Sequence, residues 1–402
     1  MQPWHPVQVP NLQTVLPAPQ VFNSVTARLS QLETDREVTI YVCGITPYDA
    51  THMGHAATYV AFDTLIRYWR ASGATVKYAQ NVTDVDDPLI ERAALVGRDW
   101  QDIAIEQTEL FKQDMQALRV IPPEHYVGAV ESIPLVVDAV KLLDKHECVY
   151  EVDGDLYYDI NQTVMVGAIS HLSQLDMLDL FAQRGGDPNR EGKRNRLDPL
   201  LWKHERPNDP SWTTEIGSGR PGWHIECAAI AVKYLGDTID VQGGGSDLKF
   251  PHHEMSAAHA QSMTGHTPFA RTFMHTGMVW LDGNKMSKSL GNLVFVSKLR
   301  NDGVDPMAIR LTILAHHYRQ DWHWNDSVLA DAQTRLNSWR AAIASPNHAP
   351  DVTLAIGDAL SNDLDTPGAL ALIDKWAIET LQSNEPNATT MGMTIDALLG
   401  IK

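Results

Sequence analysis

A hydrophobic segment, an amphipathic segment and a second hydrophobic segment follow one another early in the chain. Residues 38–43 and 76–81 are runs rich in β-branched and aromatic side chains, which predict buried strands. The sequence between them predicts a helix over about 54–72. Strand, helix and strand with short links form the βαβ unit of a doubly wound parallel sheet. Ligands of such sheets bind beyond the carboxyl ends of the strands, where Cys43 and residues 81–83 fall.

The strand–helix alternation stops between about residues 120 and 215. The sequence there predicts, in chain order, a helix near 130–146, a hairpin over 148–159 and a polar basic loop over 183–196. The alternation then resumes as a helix over 224–235, a strand over 238–242, a glycine-rich turn over 243–247 and a helix over 251–264. We therefore predict an α/β protein with a Rossmann-like doubly wound parallel sheet, an inserted α+β subdomain and a C-terminal helical bundle.

The balance of charges bears on the class of partner. The 402 residues carry 50 acidic and 32 basic side chains, a formal net charge of −18. Because a protein that holds a long RNA normally needs basic surface, nucleic acid is not an expected partner. Three cysteines cannot form a disulfide framework, which favours a cytoplasmic location. No stretch reaches the roughly 20 apolar residues of a membrane span, and the N-terminus lacks the order of a secretory signal.

The segment His52-Met-Gly-His55 lies between the first predicted strand and the first predicted helix. A helix N-terminus with free N–H groups favours phosphate, and the glycine lets a nucleotide stack close to the backbone. Two histidines three residues apart can donate hydrogen bonds to a phosphoryl group whose charge grows in the transition state. The alternative is a pair of histidines that caps the helix and binds no ligand.

A second basic motif, Lys285-Met-Ser-Lys-Ser289, follows a turn over 281–284. Two lysines on a loop flanked by glycines are suited to binding a triphosphate as it departs. By itself the segment is equally typical of an exposed basic loop. Together with His52–His55, however, it resembles the two signature motifs of class I aminoacyl-tRNA synthetases. The resemblance implies a class I synthetase-type fold and an adenylate-forming active site.

Four further segments narrow the resemblance to cysteinyl-tRNA synthetases. They match in the expected order, within a region that spans about residues 38–320, and are Tyr41–Tyr48, Asn81–Asp87, Gly222–Cys227 and Gly243–Glu254. In that family the matching positions hold zinc, which implies one zinc ion per chain on Cys43, Cys227 and His252. No local spacing supports these ligands, and without the resemblance the two cysteines would be interpreted as core residues.

The zinc would select cysteine, because zinc binds a thiolate well and lowers the pKa of the thiol. A zinc ion with three protein ligands keeps its fourth position open for a substrate. His253 and His259 are neighbours that could also reach the metal. For His259, a hydrogen-bonded surface histidine is the preferred interpretation.

Four departures from cysteinyl-tRNA synthetases point to a different acceptor. Ser256 stands where those enzymes carry a fourth, glutamate ligand, and Gln242 replaces a usual histidine. The insertion contains Gln183–Pro188, which is not a synthetase pattern, and only 114 of the 402 residues follow Lys288, little room for an anticodon-reading domain. Together these features resemble the cysteine ligases of mycothiol biosynthesis, in which an Arg-Gly-Gly-Asp-Pro segment is characteristic.

The resemblance implies a division of the chain into five regions. The first is an N-terminal extension whose first 17 residues contain four prolines, which predicts an extended surface arm or, alternatively, a flexible tail. The predicted regions are the extension 1–35, the catalytic domain 36–120 and 216–265, the insertion (connective) subdomain 120–215, a signature-loop and stem-contact region 266–325 and the helical bundle 326–402.

The resemblance also implies a two-step ligation. The carboxylate of L-cysteine attacks the α-phosphate of ATP, which gives cysteinyl-AMP and pyrophosphate. The amine of glucosaminyl-inositol then attacks the activated carbonyl and releases AMP. His52 and His55 would bind the phosphates, Lys285 and Lys288 would stabilise the departing pyrophosphate, and Mg²⁺ would accompany ATP.

The remaining roles concern cysteine and the adenylate. Thr46, Thr83 and Trp223 would line the cysteine pocket, with Trp223 beside the amino group, and Asp247 would bind the ribose hydroxyls. The complete set of residues expected to bind substrate or adenylate is Cys43, Gly44, Ile45, Thr46, Thr58, Asn81, Val82, Thr83, Trp223, Gly245, Ser246, Asp247 and the backbone of Val279.

The acceptor side and the oligomeric state are the least constrained. The amine must lose a proton, and the carboxylates near the predicted crevice are Asp84, Asp86, Asp87 and Glu226, although acids at strand ends are often structural. The loop Arg184–Asp187 would either shape the sugar pocket or simply cross the insertion. The synthetase relation favours a monomer. Two alternatives remain: a truncated cysteinyl-tRNA synthetase, and a non-catalytic paralogue that binds cysteine or ATP.

Overall fold

The computed structural model describes residues 1–49, 51–163, 166–281, 283–286, 293–384 and 390–402. The strands of this part of the chain, numbered β1 to β15, are Gln20–Asn23, Arg28–Gln31, Glu37–Val42, Thr75–Val82, His125–Gly128, Val149–Val152, Asp155–Tyr158, Leu200–His204, Trp212–Thr214, Gly217–Pro221, Ile239–Gly245, Ala270–Thr276, Val279–Leu281, Asn284–Lys285 and Trp322–His323. The α-helices, numbered α1 to α13, are Met53–Ala71, Asp87–Val96, Trp100–Ala117, Ile133–Lys145, Gln174–Gln183, Trp223–Leu235, Glu254–Thr264, Val296–Asn301, Pro306–Leu314, Asp326–Ile343, Thr353–Ser361, Thr366–Gln382 and Met391–Leu399. No helix among these residues is long and apolar enough to cross a lipid bilayer.

The central sheet has five parallel strands in the order β12-β11-β3-β4-β5. Strands β3, β4 and β5 follow one another towards one edge, whereas β11 and β12 are added on the other side of β3. The strand order therefore reverses between β3 and β11, which is where open α/β sheets form a ligand crevice. The amide of Cys43, directly after β3, donates to the carbonyl of Gly243 in β11 at 3.1 Å. This confirms the predicted doubly wound parallel sheet.

The first βαβ unit forms as its hydrophobic pattern predicts. Val38, Ile40 and Val42 of β3 are fully buried in the core, and α1 buries most of its length against the same sheet. His52 caps α1, since its Nδ1 accepts a hydrogen bond from the amide of Gly54 at 3.1 Å. The helix N-terminus therefore faces the carboxyl ends of the strands.

The interruption of the alternation forms a separate antiparallel sheet with the strand order β6-β7-β8-β10-β9. The predicted hairpin over 148–159 is present as β6 and β7, and the predicted helix near 130–146 is α4. Helix α5 follows the hairpin and packs beside the turn that precedes α7. The insertion is therefore an α+β unit, as predicted.

One local prediction around β11 is wrong. Residues 243–245 belong to β11 and are not a turn, whereas the predicted helix start at 251 falls in a π-helical segment, Lys249–His253, that continues into α7. A glycine pattern normally indicates a turn, but here it allows α1 to pack closely on the strand: a Cβ at Gly243 would lie 2.4 Å from the buried Phe62 ring. The central sheet also includes β5 and β12, which lie outside the ranges 36–120 and 216–265 predicted for it.

The N-terminal residues lie along the surface as an extended arm, one of the two predicted alternatives. The Trp4 side chain is buried and its Nε1 donates to the carbonyl of Val120 at 2.7 Å. Leu16 is buried against Gly357 of α11. The arm thus joins the catalytic sheet to the C-terminal helices.

The C-terminal helices pack on the catalytic core through a buried ionic cluster. Asp63 of α1 accepts hydrogen bonds from Arg67 at 2.7 Å and from Arg310 of α9, and none of the three side chains is exposed. The carboxylate also accepts a hydrogen bond from the amide of Ile121 at 2.7 Å. This cluster attaches α9 to the helix that begins at the crevice.

Candidate functional site

The carboxyl ends of β3 and β11 and the N-terminus of α1 surround an open cleft of about 1390 Å³. Its walls come from four separate parts of the chain, and eleven of the residues predicted to bind substrate or phosphate line it. The lining residues are Cys43, Gly44, Ile45, Thr46, Tyr48, His52, Gly54, His55, Thr58, Tyr59, Trp223, Gly245, Asp247, Leu248, Gly277, Met278, Val279 and Met286.

Two sulfur atoms and one imidazole meet beside the cleft, and Cys43 of this group lines it. The Sγ atoms of Cys43 and Cys227 are 4.0 Å apart, and Nε2 of His252 is 3.2 Å from Sγ of Cys227. All three side chains are buried, and their ligand atoms lie within 4.8 Å of one another. Ligands on a tetrahedral zinc ion are separated by about 3.6–3.8 Å at the usual zinc–sulfur and zinc–nitrogen distances. The group fits a metal of this kind.

The electrostatics of the two cysteines also suit a metal. Burial raises the pKa of Cys43 well above its ordinary value. Burial alone would raise the pKa of Cys227 as well, but a hydrogen bond from Cys43 and the neighbouring His252 bring it well below the ordinary range. The lowered pKa of Cys227 favours the thiolate, the form of cysteine that binds metals.

Two buried histidines form a hydrogen-bonded chain that ends at the Cys43 sulfur. Nε2 of His253 lies 3.2 Å from Cys43 Sγ, and Nδ1 of His253 lies 2.8 Å from Nε2 of His275. Nδ1 of His275 is in turn 2.8 Å from the hydroxyl of Ser24. Burial lowers the pKa of both histidines well below the ordinary value, so that both rings are neutral. Gln242 adds a hydrogen bond from Nε2 to Cys43 Sγ at 3.4 Å.

Ser256 and Trp223 lie on either side of His252. The Ser256 hydroxyl donates to the backbone carbonyls of His252 and His224, at 2.7 and 3.1 Å, so it is engaged with the backbone of the helix start. The Trp223 ring stacks on the His252 ring with 4.5 Å between centroids, and Trp223 faces the cleft. The Trp223 ring therefore connects the wall of the cleft to one of the candidate metal ligands.

The segment after β3 is fixed to the end of β4. The Asn81 side chain accepts a hydrogen bond from the Gly44 amide at 2.7 Å and donates to the Thr83 hydroxyl at 3.0 Å. A Cβ at Gly44 would lie 1.6 Å from the carbonyl oxygen of Asn81, so only glycine allows this approach. Asn81, Val82 and Thr83 are buried behind the residues that line the cleft, whereas Thr46 faces it.

His52 and His55 also line the cleft, at the start of α1. Their rings stack with 3.8 Å between centroids. His52 thus caps the helix and also lines the cleft, and its binding of phosphate stays a prediction. The dipole at the start of α1 and the two imidazoles together form a setting that suits phosphate.

The adenylate-binding predictions fall on three sides of the cleft. Thr58 lines it, and its hydroxyl is 3.0 Å from that of Thr276. Gly245 and Asp247 line it where β11 ends, and Ser246 lies between them in a short 3₁₀ turn. Val279 lines the third side, and its carbonyl accepts a hydrogen bond from the Met286 amide at 3.1 Å.

The second basic motif is only partly within the described residues. The backbone of Lys285 belongs to β14, and Met286 is buried and lines the cleft. Lys288 lies outside the described residues. Beyond that gap the chain returns to the site, since the amide of Met53 donates to the carbonyl of Val294 at 2.9 Å. Both ends of the loop are therefore attached beside the cleft.

The four carboxylates considered for the acceptor side differ in environment. Burial raises the pKa of Asp84 and of Asp86 to about 6, and it raises the pKa of Glu226 well above its ordinary value. Asp86 also caps α2. Burial alone would raise the pKa of Asp87 too, but an ion pair with Arg220 brings it below the ordinary value. Within the described part of the chain, Glu226 has a buried carboxylate oxygen without a hydrogen-bond partner.

Comparison with known proteins identifies the family. The chain matches the family described as tRNA synthetases class I (C) catalytic domain over residues 29–334. A relative from Kribbella flavida is 55% identical over 411 residues and one from Streptomyces coelicolor is 53% identical over 407 residues, each with 100% of both chains covered. Both are described as L-cysteine:1D-myo-inositol 2-amino-2-deoxy-alpha-D-glucopyranoside ligases. The chain belongs to this ligase family.

Solved structures of synthetases share the fold at low sequence identity. Mycobacterium tuberculosis methionyl-tRNA synthetase in complex with methionyl-adenylate has a TM-score of 0.58 at 15% identity, and the match covers 90% of this chain and 88% of that chain. Agrobacterium radiobacter LeuRS in a ternary complex with tRNA and LeuAMS has a TM-score of 0.61 at 11% identity, with 91% and 82% covered. These likenesses confirm the class I synthetase fold.

Sequence reasoning missed part of the site and misjudged one residue. Ser24 and His275 were not predicted, although they hold the histidine that contacts Cys43. The prediction of a surface His259 is wrong, because His259 is fully buried in α7 and neither ring nitrogen has a partner among the described residues. Helix α7 is buried on almost every side, so its polar residues give no indication of a solvent-facing side.

Proposed function

We infer that this protein joins the carboxyl group of L-cysteine to the amine of glucosaminyl-inositol at the expense of ATP, as part of mycothiol biosynthesis. One observation carries the inference: a single cleft contains both the Cys43 sulfur group and the stacked His52 and His55 at a helix start. A thiol could bind beside Cys43 while phosphates bind beside the histidines of the same cleft. The family membership supplies the acceptor.

The first step joins cysteine to AMP. A carboxylate oxygen of cysteine attacks the α-phosphorus of ATP, a new P–O bond forms, and the bond to pyrophosphate breaks. His52, His55 and the dipole at the start of α1 would stabilise the growing charge on the phosphoryl oxygens. Lys285 and Lys288 would bind the departing pyrophosphate, with Mg²⁺ on the nucleotide.

The cleft walls would hold the two parts of cysteinyl-AMP. Thr58 and the backbone of Val279 would position the nucleotide, and Asp247 would bind the ribose hydroxyls. Thr46 and Trp223 would contact the cysteine end. Because reacting groups are held in place by these contacts, positioning contributes most of the rate.

The second step forms the amide. The amine of glucosaminyl-inositol attacks the carbonyl carbon, the C–N bond forms, and AMP leaves with the electron pair of the broken C–O bond. The amine also gives up a proton, for which Asp84, Asp86, Asp87 and Glu226 are the candidate acceptors.

We propose zinc as the ion for which the sulfur group is built, with Cys43, Cys227 and His252 as its ligands. The buried pair of sulfurs and one imidazole is a ligand set that zinc prefers. A zinc ion there would bind the thiol of cysteine and so distinguish it from serine. Ser256 does not add a ligand, because its hydroxyl donates to backbone carbonyls.

Mass spectrometry of the products tests the proposed function. The protein is incubated with ATP, L-cysteine and glucosaminyl-inositol, and a parallel reaction offers cysteine tRNA in place of the sugar. We expect the cysteinyl-glucosaminyl-inositol amide, AMP and pyrophosphate, and no charged tRNA. Charged tRNA without amide would establish a truncated cysteinyl-tRNA synthetase instead, and no ATP turnover would establish a non-catalytic paralogue.

We also propose that the enzyme acts as a cytoplasmic monomer without nucleic acid. The net charge of −18 disfavours RNA, and the three cysteines are all free and buried, as expected in a reducing compartment. Light scattering of the purified protein at micromolar concentration tests the monomer directly. A mass of twice 44.7 kDa would overturn it.

A further inference from the structure

An arginine of the insertion contacts the backbone beside the catalytic cleft. Arg184 directly follows α5, and its Nη1 donates hydrogen bonds to the backbone carbonyls of Asp247 and Phe250. Asp247 lines the cleft, and Phe250 precedes His252 by two residues. The guanidinium therefore binds the stretch of backbone between the proposed ribose residue and a proposed metal ligand.

That stretch of backbone is irregular and needs such a donor. Between the end of β11 at Gly245 and the start of α7 at Glu254, the chain makes a 3₁₀ turn and then a turn in which Phe250 is extended, with φ −134° and ψ 137°. Carbonyl groups outside regular helices and strands lack the usual backbone partners, so other donors must satisfy them. Arg184 supplies a charged donor to two carbonyls at once.

The position of Arg184 is itself fixed by the residues that follow it. The Gly186 amide donates to the carbonyl of Phe181 at 2.8 Å, and a Cβ at Gly186 would lie 2.4 Å from the Phe181 ring. Asp187 accepts a hydrogen bond from Nζ of Lys193 at 2.7 Å, and the Lys193 side chain is almost completely buried. Contacts of Gly186 and of Asp187 thus fix the loop that follows the arginine.

The same turn is supported on its other side by hydrophobic packing. Met177 and Phe181 of α5 form a small cluster with Phe250 and with Met255 of α7. The insertion therefore contacts the turn through both an apolar surface and a charged donor. These two contacts leave the turn little freedom to change shape.

We propose that Arg184 is a positioning residue that fixes the turn between Asp247 and His252, and thereby sets the distance between the nucleotide and the metal sides of the cleft. The inference rests on the proposed roles of Asp247 and His252. Loss of the guanidinium should weaken two properties together, the retention of zinc and the binding of ATP. A loop that merely crosses the insertion would affect neither.

Three full-length variants, each reconstituted with zinc, test the proposal. Arg184→Met keeps the length of the side chain and removes its donors, and Arg184→Lys keeps a charge and donors. Arg196→Met is the matched control, since Arg196 donates to Pro188 and Asn189 of the same loop. The readouts are the rate of zinc transfer to a chelating dye, the KM for ATP in cysteine-dependent pyrophosphate exchange, and the melting temperature.

For Arg184→Met we expect zinc release about 10-fold faster and a KM for ATP about 10-fold higher, typical of a lost outer-shell contact. Arg184→Lys should recover part of both effects, and Arg196→Met should stay within about twofold of the wild type on both. Values for Arg184→Met within twofold of the wild type would overturn the proposal, as would a change in only one of the two readouts.

Two further outcomes are distinguishable. If Arg184→Met does not fold, Arg184→Lys decides: faster zinc release at an unchanged melting temperature supports the proposal, and unchanged release overturns it. If the wild-type protein shows no pyrophosphate exchange, the proposed function fails. The comparison of zinc release among the variants still decides whether Arg184 positions His252.

Discussion

The Nε2 atom of His253 lies 3.2 Å from the Sγ atom of Cys43, and both side chains are buried. A single direction of donation satisfies the whole chain behind this contact: Ser24 donates to His275, His275 to His253, and His253 to the sulfur. A hydrogen bond of this kind stabilises negative charge on a sulfur atom. His253 is thus placed to support the Cys43 thiolate of the proposed metal site rather than to act as a ligand itself.

Replacement of His253 by alanine should therefore weaken the metal site. We expect zinc to leave the variant about 10-fold faster than the wild type, because outer-shell partners typically have effects of this size. His259→Leu is the matched control, since His259 is an equally buried histidine of the same region outside the hydrogen-bonded chain. Zinc transfer to a chelating dye measures both rates, and equal rates would contradict the expected role.

Cys227 should be indispensable for both the metal and the activation of cysteine. Cys227→Ala removes one of three ligands, so we expect bound zinc to fall from about one per chain to near zero and cysteine-dependent pyrophosphate exchange to disappear. Cys148→Ala is the control, because Cys148 is also free and buried but belongs to the insertion. Metal analysis by mass spectrometry checks the prediction. Full retention of zinc and exchange in Cys227→Ala would rule out the metal role.

The sequence predicted the first βαβ unit because its hydrophobic periodicity is local. It misjudged Gly243–Gly245 because a glycine run that allows close packing on a strand and one that forms a turn have the same composition. Only the packing shows that a Cβ at Gly243 would collide with Phe62. The inward-facing α7 was misjudged at His259 for a related reason: a helix buried on almost all sides has no polar face to recognise.

Residues of the candidate site were predictable only where they belong to a motif or to a segment that resembles the family. Cys43, Cys227 and His252 are far apart in the sequence, so no spacing brings them together, yet the structure places their ligand atoms within 4.8 Å. Ser24 and His275 match no motif, and they meet only because β1 and β12 lie side by side. The site roles themselves stay predictions, for which the cleft provides the geometry.

The buried carboxylate of Asp63 should be essential for the attachment of the C-terminal helices. Burial alone would raise its pKa, but Arg310 and Arg67 bring it below the ordinary value. Asp63→Asn leaves two buried guanidinium groups without their counter-ion, and we expect a loss of about 3–5 kcal/mol in the free energy of unfolding. Lys375→Ala, at an exposed ion pair on α12, should change it by less than about 0.5 kcal/mol. Urea denaturation measures both, and a similar small change in the two variants would contradict this account.

The carboxyl of Asp84 should make the protein less stable as the pH rises through weakly acidic values. Burial raises its pKa to about 6, with Glu131 adding to the increase and the hydrogen bond from the Val130 amide opposing it. An unfolded aspartate has a pKa of about 3.9, so between about pH 4 and pH 6 the folded state binds more protons than the unfolded state. The contribution of Asp84 to the free energy of unfolding therefore falls with rising pH, by at most about 1.4 kcal/mol per pH unit.

Asp84→Asn keeps an acceptor for the Val130 amide and removes the titration. The difference in unfolding free energy, variant minus wild type, should consequently increase from about pH 4 to about pH 6 and stay constant above about pH 7. The other acids that titrate in this range are present in both proteins. Their contributions to the unfolding free energy therefore drop out of the difference. Urea denaturation in buffers of equal ionic strength gives the values. A difference that does not change with pH would show that Asp84 titrates alike in the folded and unfolded chains.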